Sequence, residues 1–262
     1  MSAPRQQAGS QTLLRGLDVL EAIAGGPVTL AELAALLGMN RSTTHRLANA
    51  LVDRGYLNHT PRLGYRFGSK LLELGYLAQE QADIVRLARP HLEALAASTE
   101  DTVHLGVPDN ELALYLAKIP GRRRVEISSR VGDRQPLTST GLGKALLLDN
   151  SAADWERLFG IDDPEGRRGI DYAQWRERMQ GYAASGYAFD LEENEDQIRC
   201  VAAPIRDAGG KIVGALSVSS AAQYMTHDRM QALSGEVLAT AHAISADLGW
   251  SGGDAARKDT RK

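Results

Sequence analysis

Two closely spaced sets of helix start and stop signals between residues 27 and 55 constrain the fold more than any other feature of the sequence. Thr29 and Glu32 have capping-box spacing, in which the threonine hydroxyl accepts from the backbone at residue 32 and the glutamate reaches back. Gly38 ends this helix as a left-handed C-cap, and Asn40 can cap a following helix that runs to about Arg54. Two short helices joined by a tight glycine-containing turn form the helix-turn-helix pattern.

The flanking segments extend this pattern on both sides. Residues 13–24, LLRGLDVLEAIA, carry apolar residues at three- and four-residue spacing, and the Gly-Gly-Pro that follows stops that helix. After the second signal, two short apolar runs surround the turn NHTPRLG, which places His59 and Arg62 at its tip. A hairpin after the last of three helices is a wing. The sequence therefore predicts a winged helix-turn-helix over residues 11–70.

The third helix has a polar face that suits nucleic acid. We expect Leu47, Ala50 and Leu51 to face its core side. Arginine can grip guanine with two hydrogen bonds, hydroxyls suit phosphate oxygens or base edges, and a basic wing tip suits phosphate or the minor groove. The candidate DNA-binding residues are Arg41, Ser42, Thr43, His45, Arg46, Asn49 and Arg62. A polar helix face can also be no more than a solvated surface.

The charge distribution favours the DNA-binding interpretation. Residues 1–70 hold eight Lys or Arg against four Asp or Glu, an excess of four positive charges. The whole chain carries −3, so the remaining residues carry −7. This asymmetry suggests a basic nucleic-acid module joined to an acidic partner module.

The run TLAELAALLGMNRSTTHRLANALVDRGYL, followed by GYRFGSKLLELG, resembles the winged-helix domain of the isocitrate-lyase-regulator (IclR) family of bacterial transcription factors. Thr44 departs from the pattern, because family members more often carry an aliphatic residue there. A buried threonine needs its hydroxyl bonded back to a helix carbonyl. The resemblance implies operator DNA as partner, a homodimer on a near-palindromic site, often a dimer of dimers, and a repressor more than an activator.

Residues 71–89 have apolar residues in helical rhythm, and Pro90 predicts a break or kink just before it. This segment is either a core helix of a second domain or a linker helix that sets the separation of two DNA-binding domains. Both interpretations stay open.

Residues 90–250 predict an α+β domain with an antiparallel or mixed sheet and flanking helices. Residues 102–107 alternate in polarity, Asp109 and Asn110 mark a turn into a second strand, and residues 125–130 favour a third. Residues 207–210 form a hairpin turn, and a long helix capped by Thr226 follows. The segment resembles the GAF-like ligand-sensing domain of the same family. The tails, residues 1–10 and 251–262, are expected to be disordered.

Three motifs could carry the chemistry of this domain. PLTSTGLGKALLL (136–148) places glycines at a helix N-terminus that favours an anion, although it lacks the spacing of a phosphate-binding P-loop. GYAFDLEENEDQIRCVAAP (186–204) contains acids and the single cysteine, and ALSVSS (215–220) offers two hydroxyls on one strand face. Each motif also has an interpretation without a ligand. The first can be a capped helix with nothing bound, the cysteine of the second can be a small buried thiol, and the serines of the third can face water.

In the IclR family, small organic acids bind between the corresponding helix mouth, signature and strand. The resemblance implies that two backbone N–H groups and two serines hold the carboxylate, that an aspartate accepts from a ligand hydroxyl, and that the cysteine bounds the pocket. Carried over, the effector-binding residues are Gly141, Leu142, Asp190, Cys200, Ser217 and Ser219. Gln197 stands where the family usually has glycine, which puts the conformation of that loop in question.

Other classes are disfavoured by composition. A lone cysteine and six histidines without ligand spacing predict no disulfide, no metal and no cofactor. No apolar run approaches the ~20 residues of a membrane span, and the N-terminus lacks a secretory signal, so a cytoplasmic protein is expected. The alternative function is a GAF-like or amidase-type enzyme using Cys200 or Asp190, a role for which a helix-turn-helix has no place.

Overall fold

The computed structural model of the chain describes residues 8–81, 83–123, 127–163 and 170–252. Two compact units divide the chain, Met1–Ala82 and Asp83–Lys262. Each unit has its own hydrophobic core, so each is described by itself.

The first unit is a three-helix domain with a two-stranded hairpin. The predicted caps form as expected: Thr29 and Glu32 make a complete capping box, and the Asn40 side chain accepts from the backbone of Thr43. The winged helix-turn-helix fold is therefore confirmed. Its elements are α1 (Ala8–Ala22), α2 (Leu30–Leu36), α3 (Arg41–Asp53), β1 (Leu57–Thr60), β2 (Gly64–Phe67) and α4 (Ser69–Gln81).

The wing is anchored to the chain segment that precedes α2. Val28 and Tyr65 exchange two backbone hydrogen bonds of 3.0 and 2.8 Å, which add a third extended segment beside the hairpin. Gly64 sits against this bridge with φ 92°, and a Cβ there would lie 2.3 Å from the Val28 carbonyl oxygen. Only glycine fits this position without backbone movement.

The core face of α3 matches the prediction except at one position. Leu47 is buried and Leu51 is half-buried, but Ala50 is exposed and Ala48 is buried in its place. The buried Thr44 places its hydroxyl 3.0 Å from the carbonyl oxygen of Asn40, the bond back to a helix carbonyl that its burial requires.

The second unit contains a six-stranded sheet with strand order β5-β4-β3-β8-β7-β6, in which all the described pairings are antiparallel. This confirms the α+β class and the predicted hairpins. The elements are α5 (Ile84–Thr99), β3 (Thr102–Asp109), β4 (Leu112–Ile119), β5 (Arg134–Pro136), α6 (Gly141–Leu146), α7 (Ala152–Asp162), α8 (Tyr172–Ser185), β6 (Ala188–Leu191), β7 (Ile198–Arg206), β8 (Ile212–Ala221) and α9 (His227–Asp247).

The two faces of the sheet bury different helices. Leu105, Val201 and Val218 point to the face covered by α5 and α9. The opposite face is covered by α6, α7 and α8, where Trp155 and Trp175 pack edge to face. Because side chains alternate along each strand, polar residues placed between these aliphatic ones all point toward the α6 side.

The helix break predicted just before Pro90 lies earlier in the chain. The helix break lies at Asp83, whose carboxylate caps the backbone of Val85 and Arg86, and Pro90 lies exposed inside α5. The side-chain cap and the buried stripe of α5 outweigh the single hydrogen bond that proline removes. The linker predicted over 71–89 is therefore divided between α4 and α5. This break coincides with the boundary between the two units.

The third predicted strand and the tails are only partly described. Residues 127–130 are irregular rather than extended, residues 125 and 126 lie outside the described residues, and a short strand forms instead at β5. Residues 8–10 belong to α1, contrary to the predicted N-terminal tail, whereas residues 1–7 and 253–262 lie outside the described part of the chain.

Candidate DNA-binding surface and ligand pocket

The N-terminal half of α3 presents the predicted polar residues at the surface. Arg41, Ser42, His45 and Arg46 are exposed, while Thr43 is half-buried and its backbone N–H donates to the Asn40 side chain. Neither arginine has a hydrogen-bond or ion-pair partner among the described residues. Their guanidinium groups are therefore available to an external acceptor such as a base edge or a phosphate.

Asn49 differs from its neighbours because it is already engaged within the unit. Its Nδ2 lies 3.2 Å from His45 Nε2, and its Oδ1 accepts from the Tyr65 hydroxyl across 3.4 Å. Burial raises the pKa of Tyr65, so this phenol stays a donor. Asn49 thus connects the recognition surface on α3 to the wing.

Arg62 lies where the sequence predicted it, at the tip of the wing. It is exposed, and its φ of 72° places it in the tight turn between β1 and β2. An arginine there extends the positive surface of α3 beyond the helix itself.

A small, partly enclosed cavity lies on the α6 side of the sheet in the second unit. Its volume is about 20 Å³, room for roughly one water molecule. The residues that form its polar wall on the strands are His104, Tyr115, Gln135, Asp190, Cys200 and Ser219. Asp190, Cys200 and Ser219 lie directly opposite one another on β6, β7 and β8.

The six predicted effector residues are only partly brought together. Asp190, Cys200 and Ser219 line the cavity. Gly141 packs behind them, since a Cβ there would lie 3.1 Å from the Cys200 Cβ. Leu142 buries its side chain in the apolar core, and Ser217 lies on the same strand face as Ser219 but outside the cavity wall.

Asp190 is held by a buried polar network. Its Oδ1 accepts from the backbone of Glu193 at 2.9 Å, and the Cys200 thiol lies 3.7 Å from its Oδ2. Burial raises the pKa of Asp190, and the nearby ammonium of Lys144 opposes this effect. Lys144, itself buried, pairs with Glu193, which also binds Arg178.

His104 is the main pocket residue that the sequence interpretation missed. Its Nε2 lies 2.9 Å from the Ser129 hydroxyl and its Nδ1 lies 3.5 Å from that of Ser219. Burial lowers the pKa of His104 to about 3, and the positive charge of Lys118 adds to this shift. Its position between Val103 and Leu105 in an alternating strand was the available signal, because it places the imidazole on the same face as the serines.

Cys200 is not set up as a nucleophile. Burial raises the pKa of its thiol, and the neighbouring Asp190 carboxylate raises it further, so the reactive thiolate is disfavoured. The loop before Cys200 contains Gln197 at φ 63°, the conformation that glycine adopts easily. The departure at this position therefore keeps the backbone shape that a glycine would favour, at some cost in strain.

Two further properties of the described residues bear on metal binding and membrane insertion. Within the described ranges, no three His, Cys, Asp or Glu are grouped so that they could hold a metal ion. No described helix is long and apolar enough to cross a membrane.

A winged helix-turn-helix with exposed arginines, joined to a sheet domain with a polar cavity, defines the class of transcriptional regulators. The model of the IclR helix-turn-helix domain matches residues 12–61, and that of the bacterial transcriptional regulator IclR C-terminal domain matches residues 76–246. The chain belongs to the IclR family. It is a transcriptional regulator and not an enzyme, so the alternative with a catalytic Cys200 or Asp190 is dropped.

Similar proteins share both parts of the chain. The DNA-binding transcriptional repressor YiaJ of Escherichia coli K12 is 31% identical over 253 residues, which span 93% of this chain and 90% of YiaJ. The crystal structure of the Agobacterium tumefaciens repressor BlcR matches with TM-score 0.78 and 25% identity, over 92% of this chain and 97% of BlcR. Pseudomonas aeruginosa HmgR matches with TM-score 0.78 and 26% identity, over 92% and 99% of the two chains.

Proposed function

We propose that this regulator is a repressor that binds operator DNA as a homodimer. Its affinity for the operator is controlled by a small carboxylate that binds in the second unit. The observation that carries the proposal is the surface of α3, where Arg41 and Arg46 are exposed and have no partner among the described residues. The repressors YiaJ and BlcR, similar over nine-tenths of the chain, support the sign of control. Operator DNA places such a protein in the cytoplasm.

In the proposed complex, α3 enters the major groove with its N-terminal half. Arg41 and Arg46 then contact base edges, and the hydroxyls of Ser42 and Thr43 contact phosphate or bases. Arg62, which is exposed at the wing tip, contacts backbone phosphate in the proposed complex.

The first unit also carries unpartnered apolar side chains that suit a second copy. Exposed leucines lie on α1 at residues 13, 14 and 17 and on α4 at residues 72, 74 and 77, with between 38% and 78% of their surface accessible. Exposed apolar clusters of this kind mark contact surfaces. A homodimer through α1 and α4 would present two α3 helices to a near-palindromic site, and pairing of two dimers would give a tetramer.

The effector is proposed to bind on the α6 side of the sheet. Ser219 donates to its carboxylate together with the first backbone N–H groups of α6, at Gly141 and Leu142. Asp190 accepts from a ligand hydroxyl, and Cys200 bounds the site. Ser217 joins only after local movement, because it now lies outside the cavity wall.

The proposed DNA binding by α3 is tested with single variants in a gel shift at fixed salt. Arg41→Ala and Arg46→Ala should each weaken binding to the operator by about 1–3 kcal/mol, the usual worth of a base contact. Arg54→Ala is the charge-matched control, because Arg54 is exposed at the opposite end of α3. Equal losses in all three variants, or none, would reject a base-reading role for the two arginines.

A further inference from the structure

An irregular segment, residues 127–130, forms one side of the ligand pocket. Ile127, Ser128 and Ser129 line the cavity opposite the strands, and Ile127 and Ser129 are buried. The cavity they cover, about 20 Å³, is too small for an organic acid of even a few non-hydrogen atoms. A ligand can therefore enter only if part of the wall moves.

Residues 127–130, hereafter the roof, belong to no helix or strand. Four polar side chains bond to the roof, and one of them, Asp133, accepts from the backbone N–H of Arg130 at 2.7 Å. The Lys118 ammonium donates to the carbonyl oxygens of Ile127 and Ser129, each at 2.7 Å. The Ser129 hydroxyl bonds to His104, and the Ser128 hydroxyl donates to Glu195 across 2.9 Å.

The part of the wall that lies on strands is more firmly built than the roof. Cys200 and Ser219 lie on the interior strands β7 and β8, and Asp190 lies on the edge strand β6, where it pairs with Cys200. Segments with few backbone hydrogen bonds open at lower free energy than sheet strands. Movement is therefore expected in the irregular parts of the wall, the roof and the loop that carries Asn194 and Glu195, rather than in the strands.

We infer that the roof is the entry gate of the pocket. The Lys118 ammonium holds the roof in place by donating to its two backbone carbonyl oxygens until a ligand displaces the roof. Lys118 is half-buried on β4, where it pairs in register with His104. Opening the roof frees the ammonium beside the pocket, where it can turn from the carbonyl oxygens to an incoming anion. This inference deepens the proposed function, since it concerns access to the same pocket.

Cys200 allows the gate to be measured without knowing the ligand. It is the single cysteine of the chain, it is buried, and it lines the cavity. In the full-length protein, the rate at which methyl methanethiosulfonate modifies Cys200 reports how often the cavity opens. Cys200→Ser gives the blank.

Two variants loosen the roof in different ways. Lys118→Met keeps the aliphatic stem but removes the ammonium, and should raise the modification rate about tenfold or more, because a hydrogen bond from a charged donor is lost. Ser128→Ala removes only the bond to Glu195 at an exposed position, and should raise the rate about threefold.

Matched controls change the same residue types elsewhere. Lys211→Met alters an exposed lysine in the β7–β8 turn, and Ser98→Ala removes a serine–glutamate bond between α5 and α9. Both controls should leave the modification rate within about twofold of the parent protein. Thermal melting of every variant separates roof opening from global unfolding.

Rates in Lys118→Met and Ser128→Ala equal to those of the controls would overturn the gate. If Lys118→Met melts early, Ser128→Ala decides the question alone. The experiment contains neither DNA nor effector, so failure of the proposed regulation would leave the labelling result standing. An unchanged labelling rate, conversely, would reject the gate and leave operator binding untouched.

Discussion

The hydroxyl of Tyr65 donates to Oδ1 of Asn49 across 3.4 Å, so the wing strand β2 and the helix α3 share a polar contact. Tyr65 is almost fully buried, and its backbone also bridges to Val28. A side chain on α3 is therefore hydrogen-bonded to a residue of the wing.

Tyr65→Phe should weaken operator binding about fivefold while costing no more than about 1 kcal/mol of stability. The ring remains to fill the core, but Asn49 loses the partner that orients its amide. Fluorescence anisotropy with an operator duplex measures the change. Tyr56→Phe is the control, since the Tyr56 hydroxyl has no hydrogen-bond partner in the described part of the chain. A fivefold loss in the control as well would remove the special role of the Tyr65 bond.

Gly64→Ala should destabilise the first unit by about 2 kcal/mol or more, because the new Cβ meets the Val28 carbonyl and the backbone has positive φ. Gly16→Ala on α1 is the matched control, with no atom within 4 Å of the added Cβ. It should stabilise the helix by about 0.5–1 kcal/mol. Hydrogen exchange of first-unit amides reads both effects. Equal protection in the two variants would contradict the close approach of Gly64.

Stability should depend on pH through His104. The unfolded imidazole binds a proton near its ordinary pKa of about 6.5, whereas burial lowers the folded pKa to about 3. The unfolded state therefore takes up more protons as the pH falls below 6.5, and stability is lost toward pH 3.

Between pH 7 and 5, the free energy of unfolding of the parent protein should fall by about 2 kcal/mol more than that of His104→Asn. The raised pKa of Asp190 acts in the opposite direction, but it is present in both proteins and drops out of the comparison. Urea unfolding, monitored by the fluorescence of the buried tryptophans of the second unit, gives the free energy of unfolding of each protein as a function of pH. Parallel curves would mean that His104 is protonated in the folded protein.

The two serines of β8 should differ in their effect on effector response. Ser219 lines the cavity and Ser217 does not, so Ser219→Ala should abolish the effector-induced change in operator affinity. Ser217→Ala alone should reduce it by less than about threefold. Operator affinity is titrated with the small carboxylic acid that acts most strongly in a screen. Equal losses in the two variants would show that both serines reach the ligand.

Local signals in the sequence were enough to predict most of the first unit. Thr29, Asn40 and Thr226 each cap a helix at the expected position because capping depends on residues only two or three apart. Pro90 was misleading, because the competing cap at Asp83 and the buried face of α5 outweigh one missing hydrogen bond.

The pocket was less accessible to sequence reasoning. The alternation in β8 predicted that Ser217 and Ser219 share a face, but only tertiary packing determines which of them reaches the cavity. The contacts of His104 with Ser129 and Ser219 span 25 and 115 residues, so no local pattern could contain them. The roof likewise depends on Lys118, whose two acceptors lie on a segment without regular structure.

The most direct test of the account is a competition titration of the purified full-length protein with DNA from upstream of its own gene, with and without a metabolite extract. We expect the protein to bind the upstream fragment with an affinity about 10³-fold or more above that for a scrambled duplex. We also expect the extract to change the affinity for the upstream fragment. Arg62→Ala should lower the salt slope by about one. Equal affinity for upstream and scrambled DNA, in both conditions, would contradict the account.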